Sequence, residues 1–397
     1  MAPASPSWVI LDTIPRVSAG EPRRGNAAIS LDLAAPPRVT RLTAGPTIFP
    51  IDPDTKAGVP YPCILAADPA SGLLLAIAPP SISERAPASP RVWRGPDGAE
   101  RVVHVGRIPD PAYLVLDLPS AAASRVPDPD VLNASSLGVI AAPTTTGAGG
   151  YMVAEFQNMV GSHDAELVCF SSDTGEWVEK EVANPLPSWI WTFDDVVAHD
   201  GRLWWVDTAA GLLACDPFAD KPDMAYVPLP KAGGGKRYRG CGYCAERTAA
   251  SRRCVKLSGG KFRCVEMGLP CGSKVGGAPK ITMRTLEDPK TALWTLEYQV
   301  SFAEIWASES YKAAGLPEKA PVVALVHPKN PDVVYFFLGE YIFGVDVPAR
   351  KVVECAAHDL DVPASEGGAS SLSVLAWELP PTLTAGSATL QFPVFPV

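Results

Sequence analysis

The chain has 397 residues, of which 47% are hydrophobic and 19% charged, with a formal net charge of −9. Its longest nearly uninterrupted apolar run, Leu73 to Pro80, is far short of the ~18 residues that a membrane span requires. The opening residues, Met1-Ala2-Pro3-Ala4-Ser5-Pro6, carry neither the basic charge nor the apolar core of a signal peptide. Prolines number 42, about twice the usual share of roughly 5%. They fall mostly between apolar runs, where they punctuate loops.

In chain order, the first apolar runs are Trp8-Val9-Ile10-Leu11 and Ile29 to Leu33, neither with an obvious partner nearby. Tyr113 to Asp117 then meets a Pro-Ser turn and returns through Ala123 to Pro127. Leu167 to Phe170 turns at Ser172-Asp173-Thr174-Gly175 into Trp177-Val178-Glu179. The clearest pattern lies between Asp194 and Leu229. Val196-Val197-Ala198 leads to Asp200-Gly201, then to Leu203-Trp204-Trp205-Val206. Gly211 opens Leu212 to Cys215, and Asp216-Pro217 leads on to Met224 to Val227. Asp-Gly between short apolar runs is the strongest local hairpin signal, so this stretch predicts four consecutive strands.

Helical periodicity is scarce. Phe302 to Ala314 places Phe302, Ile305, Trp306 and Tyr311 on roughly one face and stops at Gly315-Leu316-Pro317, which predicts one short helix. Val333 to Phe337, Ile342 to Asp346 and Val352 to Cys355 repeat the strand-turn-strand pattern, and Leu372 to Trp377 is a last apolar run without a local partner.

Four strands in about forty residues is the size of one β-propeller blade. Corresponding apolar positions recur at 53 residues (Leu114 to Leu167) and 46 (Leu167 to Leu213), then 81 (Leu213 to Trp294) and 49 (Trp294 to Phe343). The expected fold is therefore all-β, a single propeller over residues 1–397. Six blades are expected, with five or seven as alternatives, and the irregular spacing implies an insertion or an uncounted hairpin. Joining the N-terminal runs to Leu372–Trp377 in one sheet would close the ring and cover two exposed edges.

Residues 231–263 stand apart. They hold ten basic residues against the single acid Glu246, a net +9 that leaves −18 on the rest of the chain. The segment is expected to be an insertion within the propeller, opening on the flexible Gly233-Gly234-Gly235 and ending in a hairpin that turns at Ser258-Gly259-Gly260. Such a loop could recruit an anionic partner, or it could be a solvated insertion that offsets an acidic ring; the latter is the expectation here. Five of the nine cysteines fall between Cys241 and Cys271. Cys241-Gly242-Tyr243-Cys244 has the spacing for two thiolates on one zinc, and Cys254 and Cys264 on opposite hairpin arms could complete it. No second Cys-x-x-Cys accompanies the first, so free thiols are expected and no metal or cofactor. The odd cysteine count suits a reducing compartment, cytosol or nucleus.

No Gly-x-Ser-x-Gly elbow, phosphate-cradling loop or dinucleotide fingerprint is present. Three histidines precede an aspartate (His163-Asp164, His199-Asp200, His358-Asp359), but neighbouring strand residues point to opposite faces, and turns explain the aspartates more simply.

Ala198-His199-Asp200-Gly201-Arg202-Leu203-Trp204-Trp205-Val206-Asp207, with Gly211-Leu212-Leu213 and Asp216-Pro217, resembles the hallmark of a plant protein family, domain of unknown function 1618, expanded in grasses. Trp294 to Tyr298, Ile305-Trp306, Gly315-Leu316-Pro317, Val326-His327-Pro328 and the opening Trp8 to Asp12 fit the same pattern. More distantly, the chain resembles the propellers that follow F-box motifs in plant ubiquitin-ligase receptors. It starts almost directly at Trp8, so a receptor role is expected to need a separate adaptor. The resemblance implies no catalytic or ligand residues.

The expected function is a monomeric scaffold, not an enzyme, that binds protein partners through rim loops; nucleic acid and membrane are not expected partners. Trp189, Trp191 and Tyr243 are candidate rim anchors, although packing between blades explains them as well. The alternative is a propeller enzyme or small-ligand binder that uses the central channel.

Overall fold

A computed structural model of the chain describes residues 6–17, 29–45, 49, 62–78, 89–94, 100–105, 111–119, 122–127, 131–143, 150–231, 252–268, 278–360, 373–379 and 389–392. The fold is all-β and of propeller type. Among the described residues, five antiparallel four-stranded meanders follow one another along the chain: 63–126, 137–183, 195–228, 253–301 and 322–357. Cys63–Asp68 also pairs in parallel with Asp195–His199, so the meanders 63–126 and 195–228 share one eight-stranded sheet, and a further sheet is built from both ends of the chain.

In that sheet Trp8–Asp12 lies between Val374–Glu378, its antiparallel partner, and Val39–Ala44. Ile29–Asp32 pairs with Thr389–Phe392. The joining of the two ends expected from the sequence is thus present. Every residue of Trp8–Asp12 is buried, as befits a central strand covered on both faces.

The meander 195–228 follows the sequence closely. Its strands are Asp195–His199, Arg202–Asp207, Gly211–Cys215 and Ala225–Pro228. Asp200 (φ 51°) and Gly201 (φ 69°) form the hairpin tip, both left-handed as a primed turn requires. Trp204 and Trp205 are adjacent, so they point to opposite faces. Trp204 packs on Phe262 of the next meander, ring centroids 4.8 Å apart, and Trp205 packs on Phe156 of the preceding one at 6.4 Å. Trp205 also donates its indole N–H to the Ser136 carbonyl at 2.7 Å. Each side chain fills the gap to a neighbouring sheet, and burying one of this size stabilises by about 1.5–3 kcal/mol. Close approach needs small residues too. A Cβ on Gly138 would meet Val196 Cγ1 at 2.5 Å.

The aspartates that end strands have a common role. Asp68, Asp207, Asp216, Asp288 and Asp346 each accept a hydrogen bond from a backbone N–H two or three residues on, at 2.9–3.0 Å. A carboxylate there closes the turn that the chain must make before returning. Asp68 does more: its second oxygen accepts from Ala141 N at 2.9 Å, tying the meander 63–126 to the next.

The irregular spacing has an uncounted strand and an insertion behind it, and the expectation of a single helix is corrected. The interval of 81 residues reflects unlike positions, because Leu213 lies in a third strand and Trp294 in a fourth, Leu293–Ser301. The uncounted strand is Lys280–Asp288. A hairpin, 89–94 with 100–105, is also inserted within the meander 63–126. The single helix at 302–314 is two: Phe302–Trp306 and Glu309–Ala313. Ser308 breaks it, because its hydroxyl caps the second helix by accepting from Tyr311 N at 3.3 Å.

Candidate functional site

Three loops meet at one end of the meander 137–183: the approach to Leu137–Ala141, the turn after Tyr151–Asn158, and the segment leading to Asp195–His199. Asn184 ties the second of these loops to the third. Its side-chain amide donates to the Ser162 carbonyl at 3.1 Å, while its oxygen accepts from Leu186 N and from the Trp191 indole, both at 3.2 Å. Gly161, at φ +93°, donates its N–H to the Pro187 carbonyl at 2.6 Å.

Between the loops lies a cleft with a volume of about 180 Å³. Its inner wall is aromatic: Phe156, Trp191 and Phe193. Trp191 stacks on Phe193 with centroids 5.7 Å apart, and both meet Phe156 edge-on. Its mouth is aliphatic and open: Leu132 is 75% exposed, Val160 55% and Ile190 49%. Met159, next in the chain, is 75% exposed. Bulky apolar side chains scattered singly are ordinary on a surface, whereas several around one cleft mark a contact site.

The cleft also holds Glu155, whose side chain is buried. One carboxylate oxygen accepts from Asn133 N at 2.6 Å and from Ser136 Oγ at 3.3 Å; the other accepts from Gln157 Nε2 at 2.8 Å. Leu132 N reaches both oxygens. Burial raises its pKa, against the pull of these donors. Two of the donors are backbone N–H groups of the Leu132 loop, so the carboxylate holds that loop in place.

A second pocket, about 120 Å³, lies between the terminal sheet and the end of the last meander. Asp359 there bridges Arg16 at 2.9 Å and Arg41, and Arg41 Nε lies 3.5 Å from Asp12. These ions pair with one another, although Arg41 Nε has no hydrogen-bond partner among the described residues. The Arg41 guanidinium holds the Asp359 carboxyl down to about 2.

The structure redistributes the residues singled out in the sequence. Trp191 is a wall residue, 6% exposed, and Trp189 donates to buried Asp207 at 3.0 Å, so packing explains both. The exposed residue is Ile190 between them. Tyr243, Cys241, Cys244 and Cys271 lie outside the described residues. Cys254 and Cys264 do not converge. Cys254 is registered opposite Val265, and Cys264 opposite Val255, so the two thiols point to opposite faces of their sheet. No group of metal-ligating side chains gathers among the described residues. Burial pushes the thiols of Cys63 and Cys254 up to about 11 and those of Cys169, Cys215 and Cys264 up to about 12. Of the three His-Asp pairs, only Asp200 sits in a turn; Asp164 begins a strand and Asp359 makes the ion pairs above.

Within the described part of 231–263, Lys231 and Arg252 are exposed, while the four cations of the hairpin 253–263 meet acids of the fold. Lys256 pairs with Asp195 at 2.5 Å, Arg253 with Glu266 at 3.4 Å, and Lys261 with Glu287. Arg263 donates to Glu297 at 3.2 Å, to Thr285 and to the Ser258 carbonyl. Lys256 and Arg263 are direct cross-strand neighbours, a like-charge arrangement that these acids offset.

No helix among the described residues is long and apolar enough to cross a membrane. No curated protein matches the chain. Among solved structures it is similar to an α-L-arabinanase of Penicillium chrysogenum at 14% identity, over 74% of this chain and 89% of that one, with a TM-score of 0.31. An α-L-arabinofuranosidase of Fusarium graminearum matches at 11% identity, over 75% and 83%, with a TM-score of 0.32. A β-propeller domain from Myceliophteria thermophila matches at 9%, over 75% and 100%, with a TM-score of 0.28. Likeness at this level assigns no activity. It does correct one expectation: enzymes stand among the structural matches, and the chain is not set down as a non-enzyme. Residues 205–335, from Trp205 at the heart of the Trp-Trp strand to Tyr335, match the model of the protein family of unknown function DUF1618.

Proposed function

We propose that the protein is a propeller scaffold that binds a protein partner at the cleft between Leu132, Val160 and Ile190. The observation that carries this reading is the exposure of three aliphatic side chains at the mouth of a cleft whose inner wall is packed aromatic residues. Apolar anchors seated in a preformed pocket dominate interface energetics, and a preformed pocket spares the ordering cost of binding. Glu155 supports the same reading, because a buried carboxylate that clamps the Leu132 loop keeps the mouth open in the absence of a partner. We place the protein in the cytosol or nucleus, a setting supported by the free thiols at Cys63, Cys169, Cys215, Cys254, Cys264 and Cys355.

The test is comparative capture with a photo-crosslinker at Met159, using the full chain and the double variant Leu132→Asp/Ile190→Asp. A protein that crosslinks to the first and not to the second supports the cleft. If both chains crosslink the same proteins to the same extent, the cleft is not the docking site.

A further inference from the structure

Beside the cleft, the sheet 137–183 carries a strip of acids without an ion-pair partner among the described residues. Strand register places Gln157, Glu166 and Glu181 in one cross-strand row and Glu155, Val168 and Glu179 in the next. Asp164 extends the same face by one row. Side chains directly opposite share a face, so Asp164, Glu166, Glu179 and Glu181 stand together, all exposed. Glu166 and Glu181 face each other directly, an arrangement that destabilises an isolated sheet. Lys180 is the one basic residue in these four strands. It lies on the other face, opposite Leu167, and its ammonium donates to the carbonyls of Pro217 and Ala219. No cation therefore answers the strip from within its own sheet.

The strip is continuous with the cleft. Gln157 lines the cleft and shares its row with Glu166 and Glu181, so the acids begin one strand spacing from the mouth, about 5 Å, and end about 10 Å away. Apolar mouth and acidic flank form one surface. A carboxylate row kept without counter-ions costs stability, and a cationic partner would recover it.

We infer that the partner docks through a basic segment: an apolar side chain enters the cleft at Leu132, Val160 and Ile190, and flanking lysines or arginines meet Asp164, Glu166, Glu179 and Glu181. This inference rests on the cleft being the docking site. Nucleic acid meets the wrong sign of charge here. Charges at the rim of an interface act chiefly through association rate and partner choice, and they are sensitive to salt.

Three fluorescein-labelled peptides test it, each with the same Leu-Phe-Leu centre and flanked by four lysines, four serines or four glutamates. Fluorescence anisotropy is read with the full chain, with Glu166→Gln/Glu181→Gln, with Leu132→Asp/Ile190→Asp, and with Glu318→Gln/Glu340→Gln as a control of equal charge. The lysine peptide should bind most tightly and weaken as salt rises. Glu166→Gln/Glu181→Gln should weaken it about 3–10-fold, the worth of two rim ion pairs, and leave the serine peptide unchanged. The control variant should do neither, and the cleft variant should lose both peptides. Equal binding of lysine and serine peptides, or equal weakening by the control, overturns the cationic partner and leaves the cleft standing. Failure of all three peptides to bind at millimolar concentration overturns both readings.

Discussion

The ion pair between Lys256 and Asp195 joins two meanders, and its removal offers a quantitative test of how they are held together. Both side chains are about nine-tenths buried, 11% and 9% exposed, with Nζ and Oδ2 2.5 Å apart. Coulomb's law with an effective dielectric of about 20 gives a gross attraction of about 7 kcal/mol at that distance. Desolvation costs several kcal/mol per ion, so the pair is worth little against two well-packed apolar residues. Breaking it from one side is another matter. Asp195→Leu leaves the Lys256 ammonium buried beside the Arg263 guanidinium without its carboxylate, which costs about 3–5 kcal/mol. At roughly 2 °C per kcal/mol for a large domain, Tm should fall by about 6–10 °C. Lys256→Met should cost a comparable amount. The double variant Lys256→Met/Asp195→Leu should recover most of the loss and lie within about 2 kcal/mol of the parent. Differential scanning calorimetry on the four proteins closes the cycle. If the two single losses simply add in the double variant, the residues are uncoupled and the pair does not join the sheets as argued. The pH dependence carries its own sign. Burial alone would lower the Lys256 pKa, but the Asp195 carboxylate raises it above the ordinary lysine value. Its contribution is therefore complete below the unfolded lysine pKa and is lost only as pH rises through the folded one, in strongly alkaline solution.

Three further outcomes follow from the geometry. Gly138→Ala should destabilise by about 1–3 kcal/mol, because the added methyl overlaps Val196 Cγ1 at 2.5 Å and forces the two meanders apart; an unchanged Tm would refute the close approach. Deleting residues 1–12 should abolish cooperative melting, because Trp8–Asp12 is the buried strand between Val374–Glu378 and Val39–Ala44; a truncated chain with an unchanged melting profile would show that the terminal sheet forms otherwise. Asp359 is held down to about 2 by Arg41, so its stabilisation is present above the unfolded value of 3.8 and lost as pH falls towards 2; acid unfolding of Asp359→Asn should therefore part from the parent above pH 4 and converge with it below about 2.

Local sequence determined the elements. Apolar runs of four to six residues are of strand length, and Asp-Gly, Pro and Ser-Asp-Thr-Gly punctuation places the turns, so the four strands at 195–228 were legible to within a residue or two. The pairing of the two ends was legible as well, because two fully apolar strands without local partners must find one another. What escaped was decided by tertiary packing. Trp189 and Trp191 look like surface anchors in sequence, yet Asp207 and Asn184 draw them inward and leave Ile190 outside. Met159-Val160, an apolar pair within a turn, was the signal available for the cleft, but alone it cannot say that Leu132 and Ile190 lie beside it. Cys254 and Cys264 appeared able to share a metal until register put them on opposite faces, since a shift of one residue inverts every side chain of a strand. The basic segment 231–263 read as a solvated insertion, and only the neighbouring strands, through Asp195, Glu266, Glu287 and Glu297, gave the four cations at 253–263 their acidic partners. Strands are specified by their own residues; which faces meet, and which charges remain unanswered, depends on residues far apart in the chain that only the folded sheets bring into contact.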